Sequence, residues 1–260
     1  LLNLGVDVFI RPKKLSQDEL WAKANKWAIS YADMVTLLLT FFVLLLVILN
    51  EDEKIIEKEI SKLLTETETV LKKNIRNKNV DIKREDKGVK ITLRGKLFPS
   101  ASAEINNNLI PLLQNIGAVT VNAPLFNIYS KDDPENVKRR KTLIQRLRDK
   151  QDTLFVEIRV EGHTDDLPLP SGYDYDNNWE LSSARSLSMV QLLANITGLP
   201  ASKFSALGYG EYRPEIDVKM IKDRRERAEA RARNRRVEIY LDATVQAKKI
   251  KESDLEITLQ

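Results

Sequence analysis

The sequence contains no cysteine, which excludes a disulfide framework and any thiolate metal site. It contains a single histidine, His163, so zinc motifs that need two histidines are excluded as well. A serine or metal hydrolase built on His163 would need partners at recognisable spacing, and the chain supplies none. Asp165, Asp166, Asp174 and Asp176 lie close together but without the EF-hand pattern, so no metal site is expected. None of the three methionines is at position 1, and the natural N-terminus is expected upstream of Leu1.

Charge is missing from one long stretch. Trp27 to Leu49 reads WAISYADMVTLLLTFFVLLLVIL, with Asp33 as its only charged residue. At about 1.5 Å per residue a helix of this length reaches roughly 34 Å, enough to cross a hydrocarbon core of about 30 Å. The apolar run is too long for a signal peptide and no small-residue cleavage site follows it. Arg11, Lys13, Lys14, Lys23 and Lys26 precede the span and EDEKIIEKE follows it. The positive-inside rule therefore places residues 1–26 in the cytoplasm as a short tail and everything after Asn50 outside the inner membrane. Leu15 to Lys26 is expected as an interfacial helix.

A lone carboxylate in a span costs about 2.5–3.5 kcal/mol to insert and marks a functional site by default. Ser30, Asp33, Thr36 and Thr40 form one polar stripe on a helix otherwise made of Leu, Phe and Val. Lipid offers such a stripe no hydrogen bonds, so it must face partner helices or a water-filled path. A single span encloses no channel, which implies a multi-helix membrane partner. Beyond the span, Glu51 to Lys73 contains neither glycine nor proline, and Ile56, Ile60, Leu63, Leu64 and Leu71 follow a loose helical period. Residues 50–80 are expected as a helical linker, solvated or functional.

From Asp81 the pattern changes to a folded α+β unit ending near Ala243, followed by a tail of residues 244–260. Val89, Ile91 and Leu93, then Leu154, Val156, Ile158 and Val160, then Val237, Ile239 and Leu241 alternate with polar residues as half-buried strands. Helices are expected over Glu104–Gly117, Pro134–Asp149, Trp179–Ile196 and Met220–Arg233. Asn178 suits the N-cap of the third, and Gly198 with Pro200 suits its stop. The order is βα(α)βαβαβ, a sheet with helices packed on one face. The run KDRRERAEARARNRR at 222–236 carries eight basic and three acidic residues. Because it lies beyond the membrane, it is expected as a solvated helix with i,i+4 pairs such as Glu229 with Arg233, not as a nucleic-acid site.

Two resemblances emerge from these segments. WAISYADMVTLLLTFFVLLL resembles the single span of MotB-type flagellar stator B subunits, an aromatic-Ala-Asp followed by a Thr- and Leu-rich run. EGHTDD at 161–166, NNWELSSARSLSMVQLL at 177–193, GYGEYRP at 208–214 and NRRVEI at 234–239 resemble, in order, the motifs of OmpA-like peptidoglycan-binding domains, with KLFPSASAEI at 96–105 as the opening segment. The first resemblance implies that Asp33 binds the transported ion, H⁺ or Na⁺, that Ser30, Thr36 and Thr40 line its path, and that no cofactor is needed. It also implies a plug helix after the span, and two copies of this chain inside a pentamer of a four-span, MotA-like A subunit. The second implies peptidoglycan binding outside the inner membrane by Asp165 and Arg185, with Thr164, Asn178, Leu181 and Arg236 shaping the pocket. The chemistry agrees: a diaminopimelate side chain carries an ammonium and a carboxylate, which call for a fixed anion and a fixed cation side by side. Residues 120–150 read as an insertion and 214–234 as longer than usual, which leaves open the related B subunits of Zorya anti-phage motors. A passive membrane-tethered wall anchor is the other alternative, although an anchor has no use for Asp33 and its stripe.

Overall fold

The computed structural model describes residues 16–18, 21, 25–128, 134–170 and 172–247, which fall into two compact units divided between Ile55 and Ile56. The expected interfacial helix over Leu15–Lys26 lies largely outside the described residues, as do residues 248–260 of the C-terminal tail. A helix, α1 (Lys26–Asn74), begins in the first unit. Its stretch Trp27–Val47 is long and apolar enough to cross a membrane. Leu37, Phe41, Leu44 and Leu46 are exposed along it, an apolar surface that no described residue of its own unit covers.

The second unit starts earlier than the change of pattern at Asp81. Ile56, Ile60, Leu63, Leu64, Leu71 and Ile75 of α1 are buried in one apolar core with the sheet and helices that follow. The loose period after the span is thus a packed face and not a solvated linker. The buried Thr67 hydroxyl, on the same face, accepts a hydrogen bond from the Leu125 backbone N–H at 3.1 Å. Residues 123–128, in the segment that reads as an insertion, therefore lie against α1, with Ala123, Leu125 and Ile128 buried.

The sheet has five strands: β1 (Val80–Glu85), β2 (Gly88–Arg94), β3 (Asp152–His163), β4 (Phe204–Gly208) and β5 (Arg236–Ala247). Their order is β1-β2-β5-β3-β4, antiparallel throughout except for the parallel pair β3 and β4. Leu154, Val156, Ile158 and Val160 on β3 and Val237, Ile239 and Leu241 on β5 fill the core, as their alternation predicts. The opposite face carries ions: Arg159 pairs with Glu161 and Asp242 and stacks over Tyr240.

Helix α2 occupies Ile110–Val121 instead of Glu104–Gly117. The Asn106 side chain caps a short 3₁₀ turn at Asn107–Leu109, and Pro111, which donates no backbone hydrogen bond, fits the first turn of α2. Helix α3 spans Pro134–Asp149, the expected bounds. Helix α4 spans Asn178–Thr197, and its N-cap is Asn177, not Asn178: Asn177 Oδ1 accepts the Glu180 N–H while Glu180 accepts the Asp176 N–H. Gly198 ends it in the left-handed region at φ 67°. Helix α5 covers Arg224–Asn234, later than Met220, because Asp223 caps it by accepting the Glu226 N–H. Its Arg233 pairs with Glu215, not with Glu229.

Two glycines bring α4 to the sheet. A Cβ at Gly162 would lie 2.2 Å from the Ser182 carbonyl oxygen, and one at Gly208 would lie 2.2 Å from Ser183 Oγ. Their lack of a side chain lets the first turns of α4 press directly on the ends of β3 and β4.

Candidate wall-binding site

That close approach assembles the site. Asp165 follows the end of β3, Arg185 lies two turns into α4, and the turn after β4 is bonded to the ends of both elements. Thr164 donates its N–H to the Gly210 carbonyl at 2.9 Å, and the Gly210 N–H donates to Ser182 Oγ at 2.9 Å. Asn178, freed from capping, staples the pieces together. Its Nδ2 donates to the carbonyls of Leu167 at 3.0 Å and Asp165 at 3.4 Å and to Glu211 Oε2 at 2.7 Å. Beside it, Trp179 and Tyr212 form an exposed aromatic pair with ring centroids 5.3 Å apart.

Arg185 is buried and its fork is directed at the segment KLFPSASAEI. Nε donates to the Ser102 carbonyl at 2.8 Å and Nη2 to the Pro99 carbonyl at 3.2 Å, with the guanidinium over the Phe98 ring. Burial lowers its pKa to about 10, and the nearby Asp165 charge works against that shift. Arg185 thus remains a cation at neutral pH, and its Nη1 has no hydrogen-bond partner among the described residues. Asp165 does not pair with Arg185. Its Oδ2 accepts from Arg235 Nη1 at 2.5 Å and its Oδ1 accepts the Leu167 N–H at 3.3 Å. Asp166 takes a bidentate fork from Arg231, which lowers its pKa.

Two expected pocket residues are placed otherwise. Leu181 is 2% exposed, a core residue beneath the site. Arg236 is buried with its donors turned inward, to Glu238 Oε1 at 2.6 Å and to the carbonyls of Asn234 and Arg213. Its neighbour Arg235 reaches Asp165 instead. The sequence shows two adjacent arginines, and only the strand register, which sets Arg236 opposite His163, decides between them. Glu211 was also missed, since it joins the site only through the fold.

His163 lies beneath, stacked on Tyr209 with Arg213 over the other ring. Burial, chiefly, and the charges of Arg236 and Arg213 push its pKa down to about 4, so it is neutral at pH 7. Glu161, His163 and Glu238 bring ligand-type atoms within 4.8 Å of one another. Each carboxylate, however, already holds a guanidinium, from Arg159 and Arg236 respectively, and the charges of Arg236 and Arg213 act on the ring. The trio is a charge-balanced network that supports the site from below.

In the first unit, Ser30, Asp33, Thr36 and Thr40 are all exposed on α1. Thr36 Oγ1 donates to the Asp33 carbonyl at 2.9 Å and Thr40 Oγ1 to the Leu37 carbonyl at 2.8 Å, so both hydroxyls retain acceptor capacity.

The family comparisons agree with both halves. A family model described as membrane MotB of the proton-channel complex MotA/MotB matches residues 11–66, and one described as the OmpA family matches residues 127–235. Both halves of the chain are thus similar to proteins of the MotB type. Motility protein B of Bacillus subtilis (strain 168) is 28% identical over 186 residues, which are 71% of this chain and 57% of that protein. A second protein of that organism, "Uncharacterized protein YtxE", is 29% identical over 232 residues, 84% of this chain and 88% of its own length. The crystal structure of a MotB-like protein from Desulfovibrio vulgaris superposes with a TM-score of 0.51 at 19% identity, covering 74% of this chain and 99% of that one; it supports the fold. The OmpA match takes in residues 127–150, whereas the KLFPSASAEI segment that receives the Arg185 fork lies outside it.

Proposed function

We propose that the chain is the ion-carrying, wall-anchored B subunit of a rotary stator. The positive flank of the span supports a cytoplasmic N-terminus in a bacterial inner membrane, with the OmpA-type unit on the periplasmic side. Asp33 is the group that takes up and releases the transported H⁺ or Na⁺, with Ser30, Thr36 and Thr40 along its path. A polar stripe exposed on a lone span calls for a multi-span partner. We assign that partner as a four-span, MotA-like A subunit, five copies around two of this chain. The other end of the chain holds the subunit to peptidoglycan, so that ion transfer drives motion of the partner and not of the anchor. No match described above favours the defence-motor alternative, and a passive tether leaves Asp33 without a role.

The observation that carries the wall reading is the juxtaposition of a carboxylate, Asp165, with a buried guanidinium, Arg185, on α4, the helix that Gly162 and Gly208 press to the sheet. These are the two fixed charges that a zwitterionic side chain of the wall peptide needs. The test is sedimentation of the full chain in detergent with purified peptidoglycan, alongside thermal melting. Asp165→Asn keeps the shape of the side chain and removes the charge. Loss of one charge-assisted contact costs about 1.5–3 kcal/mol, roughly tenfold to a hundredfold in affinity. Arg185→Lys keeps the charge and loses the fork, and it too weakens sedimentation. Unweakened sedimentation of both variants, or loss only in proportion to unfolding, rejects the assignment.

A further inference from the structure

The Asp165 carboxylate is already occupied by a cation of the chain itself. Arg235 Nη1 donates to Asp165 Oδ2 at 2.5 Å, with the arginine side chain 49% exposed and the aspartate 11%. Arg235 is fixed only at its backbone, at the C-cap of α5, where its N–H donates to the Arg231 carbonyl. Its neighbours are not free to exchange. Arg231 is committed to Asp166, Arg233 to Glu215, and Arg236 to Glu238 and two carbonyls. Arg235 is the one arginine of this group whose ion pair lies on the site's anion. Arg185 and Arg235 act on one another as like charges, with the single carboxylate of Asp165 acting on Arg185 in the opposite sense. Both arginines thus act on the one carboxylate of Asp165, while Arg185 Nη1, with no hydrogen-bond partner among the described residues, is the donor that a ligand carboxylate would take.

We propose that Arg235 is a displaceable counter-ion, holding on Asp165 the place that a ligand ammonium takes and leaving when that ammonium binds. This rests on the wall reading above and sharpens it to a specificity mechanism. Arg235 is half exposed and Asp165 exchanges one cation for another, so a primary ammonium that fits the carboxylate displaces the arginine at small cost. An uncharged amide at the same place cannot replace the lost pair, because it would leave Asp165 without a cation. Displacing Arg235 thus costs every ligand the same small amount, which a free ammonium recovers on Asp165 and a masked amine does not.

The test is calorimetric titration of the full chain in detergent with two probes. One is the tripeptide of L-alanine, γ-linked D-glutamate and meso-diaminopimelate; the other is the same tripeptide with its side-chain amine acetylated. Arg235→Ala is expected to tighten binding of the free-amine probe about two- to fivefold and that of the acetylated probe by a similar factor, because neither then has to displace the arginine, with the free-amine probe still preferred. The substitution falls on an exposed side chain, and melting of the same sample confirms the fold. Weaker binding of both probes would make Arg235 an ordinary ligand contact, and unchanged binding of the free-amine probe would make it a bystander; either result overturns the proposal and leaves the wall reading intact. If the wild-type chain binds neither probe, or if Asp165→Asn binds the free-amine probe as well as wild type, the wall reading of this site fails and the proposal with it.

Discussion

At the scale of single residues, His163 shows how far a side chain's behaviour departs from its type. Its pKa falls from 6.5 to about 4 because burial penalises the imidazolium and two arginines repel it. The unfolded chain therefore binds a proton on His163 between those values while the folded chain does not. The stabilisation is fully present above about pH 6.5 and is lost as pH falls towards 4. A shift of this size corresponds to about 3 kcal/mol. Asp166, Glu215 and Glu238, whose pKa values are also lowered, lose their contributions only at lower pH, below their ordinary values of 3.8 to 4.5. Thermal melting from pH 7 to 4.5 should fall for the wild type and stay flatter for His163→Gln; parallel curves would contradict the assignment. The sequence showed that His163 had no catalytic partners, but not its burial. Likewise Asp165, Arg185, Thr164 and Asn178 were legible from their motifs, and the structure brings them together. The role of Arg235 was not legible, because the choice between adjacent arginines belongs to strand register, a long-range property.

At the scale of elements, alternation located the strands whose two faces differ, β2, β3 and β5. It missed β1, where Val80–Glu85 reads VDIKRE with one buried residue, and it left β4 unplaced, where FSALG lacks alternation and has no buried residue. Helix α1 was the larger departure. A charged, glycine-free stretch looks solvated in isolation, yet Ile56, Ile60, Leu63, Leu64 and Leu71 meet residues far along the chain. Leu64 is 1% exposed, so Leu64→Ala should cost the second unit about 2–5 kcal/mol. Denaturant unfolding of the full chain measures this, with Glu57→Ala on the exposed side as comparison. Equal stability of the two variants would return this stretch to a plain spacer. The packing also bears on plug function: deleting Glu53 to Leu64 would remove core residues, so any resulting ion leak would not by itself identify a plug.

At the scale of the whole molecule, one chain carries a carboxylate suited to ion transfer and, in a separate unit, a paired-charge site suited to holding a wall peptide. Neither property needs the other unless force must be transmitted from membrane to wall. On the proposed reading the ion step carries the energy: each charge crossing about 100 mV supplies roughly 2.3 kcal/mol. The most direct measurement is therefore ion flux through vesicles holding this chain together with its multi-span partner, wild type against Asp33→Asn. The variant keeps the length and apolar character of the span and assembles with the partner, but has no carboxylate to bind and release the ion. Flux, by pH- or sodium-sensitive dye, is predicted to fall to the level of vesicles lacking the complex. Wild-type flux from a fully assembled Asp33→Asn complex would contradict the account.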